Sequence, residues 1–541
     1  MKRLLNKLSF ILIVIFILPV FNSCTDLDED VYSSIVPENF YKTEDELIAA
    51  MVPAYSDLCW MIRNRGVPDC EAYTSDIMII PTRDYGGWYD GGRYQQLFEH
   101  TWTSENSCMD NMWSRTFNWV DKANMLIYQF SQVDNMDPDL KTKFTSELSI
   151  IRAFAYYNLL NTFGNVPIVD RFDVPEGFTP KNNTDFEAGR KEVFEFIEKD
   201  LLDNIPNLTE TVDESTSGRF NKYAAMMILV KLYMNAEVWT GIPRWDDAIT
   251  YADKIINSGN YQLEADYFAN FKVENKDSKE NIFVLPFNAT ISSLGWAYTS
   301  YLYRMHHHFL SAGIFGVSLG GQNGPAALPS FIHSFDSQDI RLKGWSIGLQ
   351  LNKSTGDTIF CNKTYSGKPL NYTIDYVDIY DPTDETVYDY KNAPEYAGAR
   401  FSKYEIAFAD GTNMSNDYVV YRYADVLLLK AEALMRKHGG MATEEAVNLV
   451  NQIHKRAFED PSLHLYTTNT FTMEELLAER ARELYYEGMR RNDLIRFDKF
   501  AQGEWEKEWY DRSSQGDEKN WYPIPQTQMN ANISLTQNPG Y

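Results

Sequence analysis

Glu479, Glu483 and Glu487 stand four residues apart, interleaved with Arg480 and Arg482 and followed by Arg490, and put more charge on one face than solubility needs. On a helix, residues four apart share a face. Carboxylates stacked in this way do acid–base or metal chemistry when burial and like charge push their pKa values up. With guanidinium groups at comparable density, the same residues instead build a partly buried ion lattice. The arginines favour the lattice, and no His-Glu-x-x-His or Glu-x-x-His spacing supplies metal ligands. Asp425 and Glu432 read as further partners of that lattice, and Asp493 and Arg496 continue it. His306, His307 and His308 are another metal candidate, but adjacent residues do not share one face of a helix or strand. The expectation is therefore no catalytic residue, no metal and no cofactor.

Such a lattice needs helices buried on several sides. Thr472 followed by Glu475 reads as a capping box opening a helix that continues through 474–496, with Leu477, Ala481, Leu484 and Gly488 on its apolar face. Thr43 and Glu46 form a second capping box, ahead of an inner face of Leu47, Ala50, Ala54 and Leu58. Helices are also expected at 111–130, 146–164, 192–204 and 221–239, and one capped by Asp246 ends at Gly259. The 146–164 stretch is apolar around most of its circumference, which predicts burial among other helices. Gly164 caps it and Pro167 prevents its resumption. The 221–239 helix with its successor, and 418–435 with 443–457, read as antiparallel hairpins because their connections are short. Pro523 and Pro525 exclude helix from the closing segment. The fold expected is mainly α, an irregular tetratricopeptide-like array of helical pairs without a clean repeat.

Two stretches depart from helical periodicity, 60–110 and 281–417, and read as loop-rich insertions, the second with short strands. The segment from Arg83 to Tyr94 mixes aromatic rings with four glycines, which favour a loop. Rings on such loops make a platform for the face of a sugar. Trp88, Tyr89 and Tyr94 from the first insertion and Trp296, Tyr298 and Trp345 from the second are the candidate contacts, with Arg83 and Asp84 to orient hydroxyls. The competing reading folds these rings inward as core, and Trp60, Trp102 and Trp113 are read that way.

Lys2, Arg3 and Lys7 precede an apolar run ending at Phe21, the pattern of a signal peptide over 1–23. Its twelve apolar residues would span only about 18 Å as a helix, short of a bilayer core of ~30 Å. Cys24 follows a small residue directly and is the expected lipidation site, with an acidic stretch behind it. Asp and Glu number 76 against 50 Lys and Arg, a net charge of −26 that argues against nucleic acid and anionic lipid surfaces as partners. Tyr and Trp, at 35 and 12, suit recognition of an amphipathic neutral ligand. Cys59, Cys70, Cys108 and Cys361 allow three full pairings, and free thiols as well.

The 479–496 segment resembles the signature of the SusD/RagB family, matched by Glu479, Arg480, Glu483, Leu484, Glu487, Gly488, Arg490, Asp493, Leu494 and Arg496. Further similar motifs lie at 147–169, 219–233, 422–433 and 522–541, so the resemblance extends over 24–541 as a single unit. It implies a lipoprotein of the outer membrane, facing the cell exterior, that binds glycan without cleaving it and works with a SusC-like TonB-dependent transporter. Ligand contacts in that family belong to variable loops, so none transfers by motif. Two other readings stand beside it. One is a glycoside hydrolase with paired carboxylates about 5 to 10 Å apart; the other is a helical-repeat adaptor for peptides.

Overall fold

The computed structural model describes residues 41, 43–63, 65–134, 136–289, 302, 304–381, 383, 385–407 and 414–541. Residues 1–23, Cys24, Trp296 and Tyr298, on which the expected signal peptide, lipidation and two ring contacts fall, lie outside the described residues. The scaffold is helical: α1 (Glu44–Leu58), α2 (Ser107–Ser131), α3 (Pro138–Phe163), α4 (Phe186–Asn204), α5 (Lys222–Met234), α6 (Trp245–Asn257), α7 (Tyr423–Lys437), α8 (Glu444–Lys455), α9 (Met473–Leu484) and α10 (Arg490–Arg496). Successive helices pack on one another, α2 on α3, α3 on α4, α5 on α6 and α7 on α8, while α6 also packs on α7. This is the mainly α, helical-pair array with short-strand insertions that the periodicity predicts. No described helix is long and apolar enough to cross a membrane.

Local chemistry accounts for the ends of these elements. Asp137 accepts from the first N–H groups of α3, Pro138 takes the position where a missing N–H is harmless, and Gly164 closes the helix at φ 72°. From Ser146 onward every residue of α3 is buried, because α2 and α4 cover opposite sides of it. At α1 the Thr43 and Glu46 box is complete in both directions. At α9 only Thr472 serves as cap, because the Glu475 carboxylate is engaged by Arg482 and Tyr466.

Several expected boundaries move. The 418–435 segment is a strand, Tyr418–Arg422, before it becomes α7, since Tyr418, Val419 and Tyr421 pair antiparallel with Asn281–Leu285. That ladder brackets the second insertion, which leaves and re-enters the scaffold at one place. The 474–496 stretch is two helices, not one. Tyr486 at φ 59° and Gly488 at φ 74° break it, which sends the Tyr486 hydroxyl to Asp69 at 2.6 Å. Asn235 interrupts 221–239. Asp246 lies in the first turn of α6 and pairs with Lys437, while Arg244 occupies the cap position. A short helix, Gln526–Ala531, starts directly after Pro525, so the prolines end the extended segment without excluding helix beyond it.

Candidate functional site

The carboxylates flagged by their spacing are bound by basic residues from distant parts of the chain. Arg422, at the end of the bracketing strand, donates to Glu280 (2.8 Å), Glu483 (2.6 Å) and both oxygens of Glu487. Glu483 also accepts from Arg456 (2.6 Å) and Arg341 (3.0 Å), and Arg341 continues to Glu479 at 2.9 Å. Lys403 reaches Glu487 at 2.5 Å. A second cell joins Arg480 to Asp493 and Asp425, and Arg496 to Asp493 and Glu432, while Arg490 pairs with Asp76. The side chains of Arg341, Arg422, Glu280, Glu479 and Glu483 are fully enclosed.

Burial alone would raise these acids, but the surrounding guanidinium groups win and hold Glu479, Glu483 and Asp493 well below the usual carboxylate range. An acid locked in its ionised form behind Arg cannot deliver a proton at neutral pH. The cluster is therefore a strut. It ties the 281–417 insertion, through Arg341 and Lys403, to α7, α8 and α9.

The histidine run is also structural. His308 pairs with Glu395 at 2.8 Å, and His307 Nε2 meets the Phe401 carbonyl at 2.9 Å. His306 packs its ring against Tyr486 and Phe401. Among the described residues no group of three metal-ligating side chains converges. Cys59, Cys70, Cys108 and Cys361 are buried free thiols, and desolvation raises Cys59 and Cys361 to about 12.

What remains as a candidate site is a patch of partly exposed rings on loops. Segment 82–84 is stitched along 390–393, since Thr82 N–H donates to Tyr390 and Asp84 N–H to Ala393. Arg83, expected at the ligand, is instead only 1% exposed, because its guanidinium donates to the carbonyls of Asn323, Gly324, Pro394 and Ala397. It fixes the loop. Trp88, at φ 67°, lies partly exposed over Gly324 and donates its indole N–H to the Gln322 carbonyl at 2.8 Å. Tyr89 is 54% exposed. Tyr94 is buried and supports Trp88, with ring centroids 5.9 Å apart. Trp345 is 4% exposed and belongs to the core, packed on Phe331, Phe401 and Tyr485, because its strand turns its ring toward the scaffold.

Four residues of this patch escaped the sequence reading. Tyr85 meets Phe309 with centroids 6.0 Å apart, and the Lys363 ammonium lies 4.9 Å from the Phe309 ring. Thr364 donates to Asp84 at 3.1 Å, whose other carboxylate oxygen is buried without a partner; desolvation raises Asp84 to about 6. The organiser here is Glu395, which accepts the backbone N–H groups of Lys363 and Tyr365 besides His308. Their grouping on the Arg83–Tyr94 loop depends on the contacts of Tyr85 with Phe309 and of Asp84 with Thr364, each more than two hundred residues apart in sequence, which periodicity cannot register.

Gly324 permits the seat of Trp88, since a Cβ there would lie 2.8 Å from the indole ring and 2.9 Å from the Met305 carbonyl. Gly324→Ala is therefore expected to push Trp88 outward and shift tryptophan emission to longer wavelength. In a Trp88→Phe background the same substitution should leave emission unchanged. Stability should fall by about 1–3 kcal/mol, as for other overpacked sites.

A helical-pair scaffold braced by buried ion pairs and displaying a loop-borne aromatic patch defines the class of protein. The SusD family matches residues 258–541, and a family described as starch-binding associating with outer membrane matches residues 28–234. The chain belongs to the SusD family. It is 24% identical to the starch-binding protein SusD of Bacteroides thetaiotaomicron over 84% of this chain and 82% of that protein. A SusD-like protein of Formosa agariphila is 24% identical over 99% of both chains. Among solved structures, surface glycan-binding protein A of Bacteroides thetaiotaomicron in complex with laminarihexaose superposes with TM-score 0.70 at 20% identity, covering 92% of this chain and 100% of that one. A laminarin-binding SusD-like protein gives 0.69 at 21%, covering 93% and 100%.

Proposed function

We propose that this protein binds a neutral oligo- or polysaccharide at the cell surface through the Trp88 patch and passes it, uncleaved, to a TonB-dependent barrel in the outer membrane. Lipidation at Cys24 would tether it there. The observation that carries the reading is the cluster of Tyr85, Trp88, Tyr89 and Phe309 beside Lys363, Asp84 and Thr364, on a scaffold whose named relatives bind starch and laminarin. Flat apolar rings take the C–H faces of a sugar while the polar groups meet its hydroxyls. The stacked carboxylates Glu479 and Glu483 are held ionised by Arg, which supports binding without cleavage at that cluster.

Affinity electrophoresis against a polysaccharide panel that includes starch and laminarin identifies the ligand. Tyr89→Ala should weaken retardation by about two- to tenfold in Kd, taking 0.5–1.5 kcal/mol per ring, with the thermal midpoint unchanged because Tyr89 is exposed. Trp88→Ala should weaken it at least as much. Wild-type retardation in both variants would place the ligand elsewhere, and reducing sugar released by purified protein would replace binding by hydrolysis. Extraction in gentle detergent should recover the protein with an outer-membrane barrel, and recovery only as a free monomer would argue against that partner.

A further inference from the structure

A second cleft lies at the seam between the 281–417 insertion and the helical scaffold, and shares no residue with the Trp88 patch. One half, about 720 Å³, lies between Ile340, Leu342 and Ile374 on one side and Leu463 on the other, over Trp345 and Phe458. The other half, about 460 Å³, is polar and includes His454, His464, Tyr466, Thr470 and Arg482. Asp339 and Phe458 border both halves, so the two form one continuous cleft. Its floor is held by the Ile340 N–H donating to the Ala457 carbonyl at 2.8 Å. Each half falls within the usual range of ligand cavities, about 300–1,000 Å³.

Two further features point to a ligand and to its kind. The Trp345 indole N–H and His454 Nε2 are buried beside the cleft without hydrogen-bond partners, an uncommon and unfavourable state for such groups. Of the acids around the cleft, Asp339 is engaged by Arg341 and Glu475 by Arg482 and Tyr466, while Asp336, Glu459 and Asp460 also line it together with Lys343 of opposite sign. Charges of both signs line the cleft, so its electrostatics select no single ionic ligand, and the net charge of −26 weighs further against an anion. An apolar wall opposite hydroxyl and guanidinium groups suits a molecule with C–H faces and many hydroxyls.

We propose that this cleft is a second binding site for a neutral oligosaccharide of at least two sugar units, separate from the Trp88 patch. The proposal rests on the glycan-binding reading above, and its test separates the two. Laminarihexaose and maltohexaose are titrated by calorimetry into wild type, the Trp88→Ala/Tyr89→Ala variant, and each of these carrying Leu463→Arg. Leu463 and Ile347 stand on the rim and are partly exposed, so Ile347→Arg serves as an independent second blocking variant whose fold is checked by thermal midpoint.

The expected result is saturable binding of at least one hexasaccharide that survives Trp88→Ala/Tyr89→Ala. That residual binding should weaken at least about tenfold on adding Leu463→Arg or Ile347→Arg. Loss of all binding in Trp88→Ala/Tyr89→Ala, with both rim variants binding like wild type, overturns the second site and leaves the first intact. Binding lost only through the rim variants, and untouched by Trp88→Ala/Tyr89→Ala, upholds the cleft and overturns the first site. No binding of either hexasaccharide to wild type overturns the cleft for these neutral glucans.

Discussion

Glu483→Ala is expected to lower the free energy of unfolding by about 3–5 kcal/mol, the range for removing one partner from a buried ion pair. Arg341, Arg422 and Arg456 all converge on this carboxylate. Without it, three guanidinium groups would share the remaining acids in a site closed to bulk solvent. Glu483→Gln keeps the volume and one acceptor, and should fall between wild type and alanine. Glu475→Ala is the control, since its side chain is 37% exposed and its pairing with Arg482 belongs to the surface class worth about 0–1 kcal/mol. Chemical denaturation reads all three. An alanine variant at 483 as stable as wild type would mean that water enters the lattice in solution. Because Glu483 joins the insertion to α8 and α9, its loss should also weaken glycan retardation, through the platform rather than by contact.

The second large effect is in the pH dependence, read as a difference between variants. Glu71 is buried, and desolvation raises it to about 7 despite Arg491 at 3.7 Å and hydrogen bonds from Asn161 and Asn492. A carboxyl whose folded pKa is raised contributes stability that is complete below its unfolded value, near 4.5, and is lost as pH rises through about 7. Glu71→Gln cannot ionise. Relative to wild type it should therefore gain about 2–3 kcal/mol as pH goes from 5 to 8, at 1.36 kcal/mol per unit of displacement. A pH-independent difference would show that Glu71 titrates normally.

The paired difference is needed because the wild-type profile mixes opposite signs. His100 and His307, held down to about 3 by burial, contribute stability that is present above about 6.5 and is lost as pH falls. The depressed lattice acids Glu479, Glu483 and Asp493 add their own loss at lower pH, below the ordinary carboxylate range.

Much of the scaffold was legible because its signals are local. Thr43 and Gly164 mark helix ends through hydrogen bonds to neighbours three or four residues away, and the apolar circumference of 146–164 states its burial directly, although the Asp137 cap that opens this helix earlier was not read. The pairing of Glu479, Glu483 and Glu487 with arginines was legible as charge balance. Their partners were not, since Arg341 and Arg456 arrive from other segments. The break at Tyr486 likewise depends on Asp69, a residue more than four hundred positions away.

The aromatic loops show the limit most clearly. Composition placed rings on the Arg83–Tyr94 segment and so pointed to the candidate patch, but ring type and spacing do not say which side of a loop faces solvent. Arg83 turned inward because four carbonyls converge there, Tyr94 and Trp345 because apolar neighbours cover them, and Tyr85, Phe309 and Lys363 met through contacts that have no period. The sequence by itself determined the helical scaffold and its charged interior, which arise from propensity, capping and charge balance along the chain. Only the tertiary structure decided which rings face outward, because exposure on an irregular loop is settled by what packs behind it.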